Sequence, residues 1–325
     1  PVVVYRYRIR KGKDIESNLY FLFITGVSKF SKVSLFSELN NLDDLTFSER
    51  AATICGYTQS ELELVFNEHL NALAKTQNKD QKQTLAELKL WYNGYQFAQT
   101  NQKIYNPFSI LNCFKNNKIS SYWFTSGTPR FLINLIEKNP SAVKKLIDLE
   151  YVQLGETGIE NFSVETYFEN FIVLFLQTGY LTITHYNPDT RNYTLSYPNS
   201  EVRSAITGQI LTLIANIKDS DFSKFIDRFT KALRANDIEA FCQHMRDFFV
   251  LIPHNIAVKR EKFFQGIFFS VSKLIGAHIT TEEATNRGFI DAVIETDDHV
   301  FVVEFKHDKT PEAALKQIEN KEYFA

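Results

Sequence analysis

The sequence is poor in cysteine and methionine and has no long apolar run. Its 325 residues include only three cysteines, Cys55, Cys113 and Cys242, and one methionine. Because the cysteines are scattered and odd in number, they match neither a disulfide framework nor a zinc-binding pattern, and we expect a reducing, cytoplasmic environment. No apolar run reaches the length of a membrane span and no signal peptide is visible, so we expect no membrane partner.

The sequence also lacks a charge excess of either sign. The formal net charge is -2, which gives no overall attraction to nucleic acid. Binding of nucleic acid would need a local basic face, for which residues 259, 260, 262 and 287 are candidates. What is abundant is phenylalanine, with 29 residues, and aromatic side chains at helix and strand spacing indicate cores more often than ligand platforms. The length allows two or three domains.

The most informative segment is residues 287–306, which is typical of two apolar strands joined by a tight turn at Asp297 and Asp298. A turn centred between these two residues places Asp291 directly opposite Glu304. Like charges at opposite positions destabilise a sheet, and a divalent cation between them would remove that cost. The alternative is that Glu304 lies on the solvated face of an edge strand, since charged side chains are rarely buried.

The spacing Asp-x12-Glu-x-Lys, formed by Asp291, Glu304 and Lys306, resembles the PD-(D/E)xK nuclease superfamily. The proline of that name is absent here. The resemblance implies that Asp291 and Glu304 bind Mg²⁺ or Mn²⁺, together with the carbonyl oxygen of Phe305. It further implies that Lys306 positions the attacking water. We expect Glu295 to be a surface acid.

Two flanking helices support the resemblance. An amphipathic segment after Lys259 is similar to the first helix of the nuclease core, in which Glu261 is a further candidate metal ligand. Glu261 is equally well explained as a first-turn acid favoured by the helix dipole. A second helix is predicted to start at Pro311. On it, the resemblance implies that the side chain of Gln317 reaches the active site, whereas the pattern alone favours a solvated residue.

The first part of the chain is similar to predicted AAA-ATPase-like proteins of bacteria. The similarity lies in the runs at residues 25–32, 91–95, 105–109 and 122–124. In that family an ATPase-like region precedes a PD-(D/E)xK domain. The phosphate-binding loop Gly-x4-Gly-Lys-Ser/Thr does not occur in this sequence, so we do not expect it to bind ATP as written. The chain is expected to be a fragment, or to have lost its ATP site.

Local patterns predict the elements between these motifs. The apolar run 19–26 is typical of a buried parallel strand. Residues 60–75 predict one helix with Val65 on its buried face and His69 at its edge, and a further helix ends at Asn93 and Gly94. Strands at 180–185 and 192–197, flanked by helices, are compatible with a winged helix. Residues 219–249 predict two helices broken near 235–237.

We therefore predict an α/β protein with three regions. Residues 1–150 form a partial AAA-ATPase-like domain, residues 151–254 a helical, winged-helix-like region, and residues 255–325 a truncated PD-(D/E)xK domain with the core order αβββα. The predicted activity is Mg²⁺-dependent hydrolysis of phosphodiester bonds in DNA or RNA. Two alternatives remain: a catalytically silent interaction or regulatory module, and an ATP-dependent switch whose phosphate loop lies upstream. The oligomeric state is left open.

Overall fold

The computed structural model describes ten stretches of the chain: residues 2–5, 22–25, 42–123, 151–160, 171–252, 261–275, 278–285, 288–295, 299–305 and 311–321. The chain divides into two compact units. The first unit comprises residues 1–127 and 149–205, and the second comprises residues 128–148 and 206–325. The run after residue 25 that resembles ATPase-like proteins lies outside the described residues. The predicted domain boundaries at residues 150 and 254 stay predictions.

The first unit begins with a small antiparallel sheet of order β2-β1-β3, formed by β1 (Val2–Tyr5), β2 (Leu22–Thr25) and β3 (Leu42–Asp44). The apolar run at 19–26 does contain a strand, β2. The expectation of a parallel strand is wrong, because β2 pairs with β1 in antiparallel register. A continuous apolar run indicates a buried strand, but it does not indicate whether the neighbouring strand is parallel or antiparallel. A short 3₁₀ helix, Glu49–Ala51, follows.

Four helices come next: α1 (Gln59–Val65), α2 (Asn67–Thr76), α3 (Gln81–Tyr92) and α4 (Pro107–Asn116). The single helix predicted over 60–75 is therefore broken, at Phe66. The break changes the phase of the helix, and Val65, predicted on the buried face, is 65% exposed. Phe66 still packs on the shared core of these helices, which includes Leu62, Leu70, Leu73, Leu88, Tyr92, Tyr105, Ile110 and Phe114.

Helix α3 ends as predicted, at Asn93 and Gly94. Gly94 adopts a φ of +118°, and a Cβ at this position would lie 1.8 Å from the carbonyl oxygen of Pro198. Only glycine accommodates both the backbone conformation and the close approach. The Asn93-Gly94 pair thus joins two segments of the first unit that are far apart in sequence.

The remainder of the first unit contains a second antiparallel sheet of order β4-β6-β5. Its strands are β4 (Val152–Gly155), β5 (Thr182–Asn187) and β6 (Asn192–Ser196), and the helices α5 (Glu156–Glu160) and α6 (Phe171–Gln177) lie between them in sequence. The helix α7 (Ser200–Ile214) follows in sequence, and the first unit includes it only up to residue 205. The predicted hairpin β5-β6 and the helix after it are present. The winged-helix assignment itself stays a prediction.

The second unit contains the helical pair α8 (Asp219–Arg234) and α9 (Ile238–Val250), with the predicted break between them. There follow α10 (Glu261–Leu274), β7 (His278–Thr285), β8 (Gly288–Glu295), β9 (Val300–Val303) and α11 (Pro311–Lys321). The strands form an antiparallel sheet of order β7-β8-β9. Helix α10 contacts β7 and β8. Val293 of β8 packs with Val302 and with Ile318 of α11. The predicted helix, three strands and helix are thus present in that order.

A row of phenylalanines connects the helical pair to this sheet. Phe229 of α8 contacts Phe241 of α9 with ring centroids 5.9 Å apart, and Phe241 contacts Phe268 of α10 at 5.9 Å. Phe268 in turn contacts Phe305, just after β9, at 5.1 Å. All three contacts are edge-to-face, which is a favoured arrangement of aromatic rings. This row continues the core of the helical pair up to the residue next to Glu304.

None of the helices that the structure describes combines the length and the apolar character that crossing a membrane requires.

Candidate active site

The site is built on the pairing of β8 with β9. Ala292 lies opposite Val303, Val293 opposite Val302, and Glu295 opposite Val300. The register predicted from the turn at Asp297 and Asp298 is therefore confirmed for these pairs. Continued by one residue, the same register places Asp291 opposite Glu304.

The pairing of β7 with β8 adds a residue that sequence reasoning missed. Thr281 lies opposite Ala292 and Glu283 lies opposite Ile290. The position between these pairs places Glu282 opposite Asp291. Glu282, Asp291 and Glu304 thus occupy one row of register positions across three neighbouring strands. A signal for this was available, because only two residues separate Thr285 from Gly288, and such a short connection fixes the register of a hairpin.

Glu304 follows directly on β9 and is half-buried, with its Oε2 atom shielded from solvent. Its neighbour Phe305 is held against Phe268 of α10. Burial in this position limits the conformations open to the Glu304 carboxylate. The phenylalanine row therefore holds Phe305 in place, directly next to the candidate metal ligand Glu304.

The other predicted site residues are described less completely. Glu261 is the first residue of α10, and Gln317 lies in α11, one position before Ile318, whose side chain packs near Val293 of β8. The side chains of Glu261, Asp291 and Gln317 and the whole of Lys306 lie outside what the structure describes. Glu295, at the end of β8, is exposed, as expected of a surface acid.

The carboxylates of Glu282, Asp291 and Glu304 are the kind of ligand that a hard divalent cation prefers. Mg²⁺ and Mn²⁺ prefer carboxylate and carbonyl oxygens, and Mg²⁺ is commonly bound through one or two carboxylates. Three acidic positions aligned across a sheet would repel one another without a counter-ion. Among the side chains that the structure describes, no group of three or more histidine, cysteine, aspartate or glutamate residues could hold a metal ion.

A second buried carboxylate, Glu201, lies in the first unit and was also missed. Its Oε1 atom accepts hydrogen bonds from the backbone N–H groups of Tyr122, at 2.6 Å, and Trp123, at 3.0 Å. Its Oε2 atom accepts one from the Ser109 hydroxyl, at 2.7 Å. Burial raises the pKa of Glu201, and these three hydrogen bonds oppose the rise. Since both oxygens are engaged by the chain itself, Glu201 joins segments of the unit rather than offering a free acid.

Glu201 also connects two of the sequence runs named above, 105–109 and 122–124. Ser109 belongs to the run at 105–109, and Tyr122 and Trp123 belong to the run at 122–124. The run at 91–95 is joined to the same region, because the Tyr92 hydroxyl donates to the carbonyl oxygen of Ser120 at 2.7 Å. From sequence, Glu201 resembles any acid in the first turn of a helix. Its role depends on long-range contacts that no local pattern contains.

Comparison with known proteins gives two matches. The profile of the PD-(D/E)XK nuclease superfamily matches residues 259–325, which include α10, the sheet β7-β8-β9 and α11. Over 320 residues the chain is 33% identical to a protein of Azotobacter chroococcum mcd 1 described as "Uncharacterized protein in vnfD 5'region". That alignment covers 96% of this chain but 58% of the relative, so the chain spans little more than half of the relative's length. No solved structure matches the chain. By the profile match and the order of its elements, the segment 259–325 is a domain of the PD-(D/E)XK nuclease superfamily.

Proposed function

We propose that the domain at residues 259–325 hydrolyses phosphodiester bonds in DNA or RNA with the help of a divalent cation. The observation that carries the proposal is the register of β8 and β9, which supports a position of Asp291 opposite Glu304 when it is continued by one residue, within the segment that matches a nuclease superfamily. Structural ion pairs would explain a single acid on an apolar strand. They do not explain acidic positions in a row across three strands, since that arrangement is unfavourable by itself.

Asp291 and Glu304 are the proposed ligands of Mg²⁺ or Mn²⁺, together with the carbonyl oxygen of Phe305. Glu282 and Glu261 are the candidates for a further carboxylate, of which Glu282 has the support of the register. When bound, such a cation lowers the pKa of a coordinated water and polarises a phosphoryl oxygen. The protein's part is to hold the carboxylates in place, which the packing of Phe305 on Phe268 favours on the Glu304 side.

Lys306 and Gln317 are the proposed catalytic residues that do not bind the metal. Lys306 would orient the attacking water and offset the negative charge that develops on the phosphoryl oxygens in the transition state, because a positioned cation stabilises such charge. Gln317 would donate a hydrogen bond to that water or to a neighbouring carboxylate, which would fix its orientation. Neither role requires a change in the charge of the side chain.

The test is a cleavage assay with labelled single-stranded DNA, duplex DNA and RNA in the presence of Mg²⁺ or Mn²⁺. The parent chain is compared with Asp291→Asn and Glu304→Gln, which keep the size of each side chain and remove its charge. We expect cleavage by the parent and a loss of at least about 100-fold in each variant, the scale of losing a group that stabilises transition-state charge.

Glu295→Gln is the matched control, since Glu295 is an exposed acid on the same hairpin and the variant changes the net charge equally. It should cleave as the parent does. If a folded parent cleaves none of the three substrates with either metal, the proposed activity is wrong. The catalytically silent interaction or regulatory module then becomes the better explanation of the domain.

The ATPase-like assignment of residues 1–150 and the winged-helix-like assignment of residues 151–254 are proposed as the regulatory part of the molecule. The first assignment rests on the resemblance of the runs at residues 25–32, 91–95, 105–109 and 122–124, and the second on the hairpin β5-β6 followed by α7. Nucleotide binding by this chain is not expected, because its sequence contains no phosphate-binding loop. A titration of the chain with ATP and Mg²⁺ tests this, with the melting temperature measured at each ATP concentration. A saturable rise in melting temperature would contradict the expectation.

A further inference from the structure

The outward face of α8 carries a stripe of basic residues, which we call the α8 stripe: Lys224, Arg228, Lys231 and Arg234. All four side chains are exposed, and they recur at helical spacing. The opposite face of α8 carries Phe222, Phe229 and Leu233, which are buried. The stripe therefore faces away from the phenylalanine row, on the side of α8 that is open to a partner.

Two residues of the stripe form ion pairs that a phosphate group can replace. Lys224 pairs with Asp221 at 2.9 Å, and Lys231 pairs with Asp227 at 2.7 Å. The side chains of the lysines are 69% and 74% exposed. Exposed pairs of this kind contribute little to stability, so both lysines can exchange a carboxylate for a phosphate.

The two arginines are free of ion pairs within the described part of the chain. Arg228 lies over the ring of Phe225, with the guanidinium carbon 5.9 Å from the ring centroid, so the aromatic ring orients it. Arg234 lies in the last turn of α8. A guanidinium group presents several donors in a plane and is well suited to phosphate oxygens.

The length of the stripe matches a nucleic-acid backbone. Lys224 and Arg234 are ten residues apart on one helix, a rise of about 15 Å at 1.5 Å per residue. A duplex strand advances about 3.4 Å per phosphate along its axis, so the stripe covers roughly four phosphates. Four basic groups over four phosphates give a continuous contact without any need to read bases.

We propose that the α8 stripe binds the sugar-phosphate backbone of the nucleic acid on which the nuclease domain acts, an inference that rests on the proposed function. The stripe and the nuclease domain belong to one compact unit. The phenylalanine row runs from α8 to Phe305, beside Glu304, so the stripe is connected to the candidate site through packed side chains. The stripe then supplies the local basic face that a chain of near-neutral net charge needs.

An anionic membrane surface carries negative charge, as a nucleic acid does, and is a partner of a different class that a basic stripe could bind. Helices that bind membrane surfaces insert large apolar side chains next to their basic residues. No large apolar side chain of α8 is exposed, so the face favours nucleic acid. Vesicles that contain phosphatidylserine serve as the comparison.

The test is binding of a fluorescent 30-nucleotide single strand and of a 30-base-pair duplex to the whole chain in EDTA, measured by anisotropy over a range of salt. Withholding the metal prevents cleavage and separates binding from catalysis. The variant Arg228→Gln/Arg234→Gln removes two cations that form no ion pair with any residue the structure describes. The control is Lys82→Gln/Lys89→Gln on α3, which removes two exposed cations from the first unit, one of them also in a last helical turn.

We expect the α8 variant to bind at least about tenfold more weakly at 0.1 M salt. Its slope of log K against log salt should be shallower by roughly 1.4 for the single strand and 1.8 for the duplex, two phosphate contacts in each case. The control should bind as the parent does. A second variant, Asp221→Asn/Asp227→Asn, frees both lysines and should bind more tightly than the parent, a gain that misfolding cannot produce.

Equal binding by the parent and both α8 variants would overturn the inference and leave the proposed cleavage untouched. A parent that binds neither probe, or that binds only phosphatidylserine vesicles through the stripe, would also overturn it. Conversely, a parent that binds through the stripe but cleaves nothing would support the inference while the proposed catalysis fails.

Discussion

Replacing the buried acid Glu201 should destabilise the first unit by an amount that depends on what replaces it. Glu201 is fully buried and accepts three hydrogen bonds, from Ser109, Tyr122 and Trp123. In Glu201→Ala, the buried Ser109 hydroxyl and the part-buried N–H groups of Tyr122 and Trp123 lose their acceptor. A buried donor without an acceptor costs about 1–3 kcal/mol, and water can partly replace the acceptor for the two part-buried N–H groups. We therefore expect a loss of roughly 3–5 kcal/mol in the free energy of unfolding, toward the lower end of the sum for three donors.

The variant Glu201→Gln should lose much less. The amide oxygen can still accept from both backbone N–H groups, and the Ser109 hydroxyl can rotate to accept from the amide N–H. The loss of charge weakens these bonds but also removes the cost of burying a carboxylate. We expect a loss of about 1 kcal/mol at neutral pH.

The pH dependence has a defined sign. Because burial raises the pKa of Glu201, the folded protein binds a proton at this group more tightly than the unfolded chain does. The stability gained from that proton is fully present below the ordinary glutamate pKa and is lost as the pH rises through the raised pKa. The advantage of the parent over Glu201→Gln should therefore shrink with rising pH over this window.

Urea unfolding followed by tryptophan fluorescence measures these effects in the first unit, because both tryptophans, Trp91 and Trp123, belong to it. The measurement is repeated between pH 5 and pH 8. The reasoning is refuted if Glu201→Ala is as stable as the parent. It is also refuted if the advantage of the parent over Glu201→Gln grows with pH.

Three further predictions concern other structural positions. Gly94→Ala should lower the free energy of unfolding by at least about 3 kcal/mol in a urea titration, because its Cβ would lie 1.8 Å from the Pro198 oxygen in a backbone conformation unfavourable to alanine. Asp80→Ala should cost about 1 kcal/mol in the same titration, since Asp80 caps α3 through its side chain. Phe268→Ala should lower the free energy of unfolding by about 3–5 kcal/mol. Phe268→Leu is a milder change and should weaken Mn²⁺ binding, because Phe268 packs on Phe305 next to the candidate ligand Glu304.

Each of these three has a control in the same protein. Gly208→Ala should be neutral or stabilising, because its Cβ would meet only an ordinary contact at 3.7 Å within a helix. Lys82→Ala, in the first turn of α3, should leave stability nearly unchanged. Phe108→Ala removes a phenylalanine that is 52% exposed and should cost under 1 kcal/mol. Equal effects in a variant and its control would contradict the corresponding explanation.

The sequence predicted local elements well where a turn or cap marks them. The register of β8 and β9 was predicted correctly because the sequence pattern indicated where a short turn would centre, and the centre of a short turn determines which residues pair. The end of α3 was predicted because Asn-Gly is a helix stop. These features depend on neighbours in the chain, so the local pattern contains them.

What the sequence did not predict depends on distant partners. The direction of β2 is set by its pairing with β1, and an apolar run does not specify that. The break at Phe66 was missed because Phe66 packs on the core in either case. Glu201 became recognisable only from donors far away in sequence, whereas the short connection between β7 and β8 did contain a signal for Glu282.

A calorimetric titration with Mn²⁺ tests the central claim most directly. The whole chain is compared with Asp291→Ala, Glu304→Gln and the control Glu295→Gln. The account predicts saturable binding in the parent and the control, and none in the two site variants. Absence of binding in a folded parent, or equal binding in all four proteins, would contradict the metal site formed by Asp291 and Glu304.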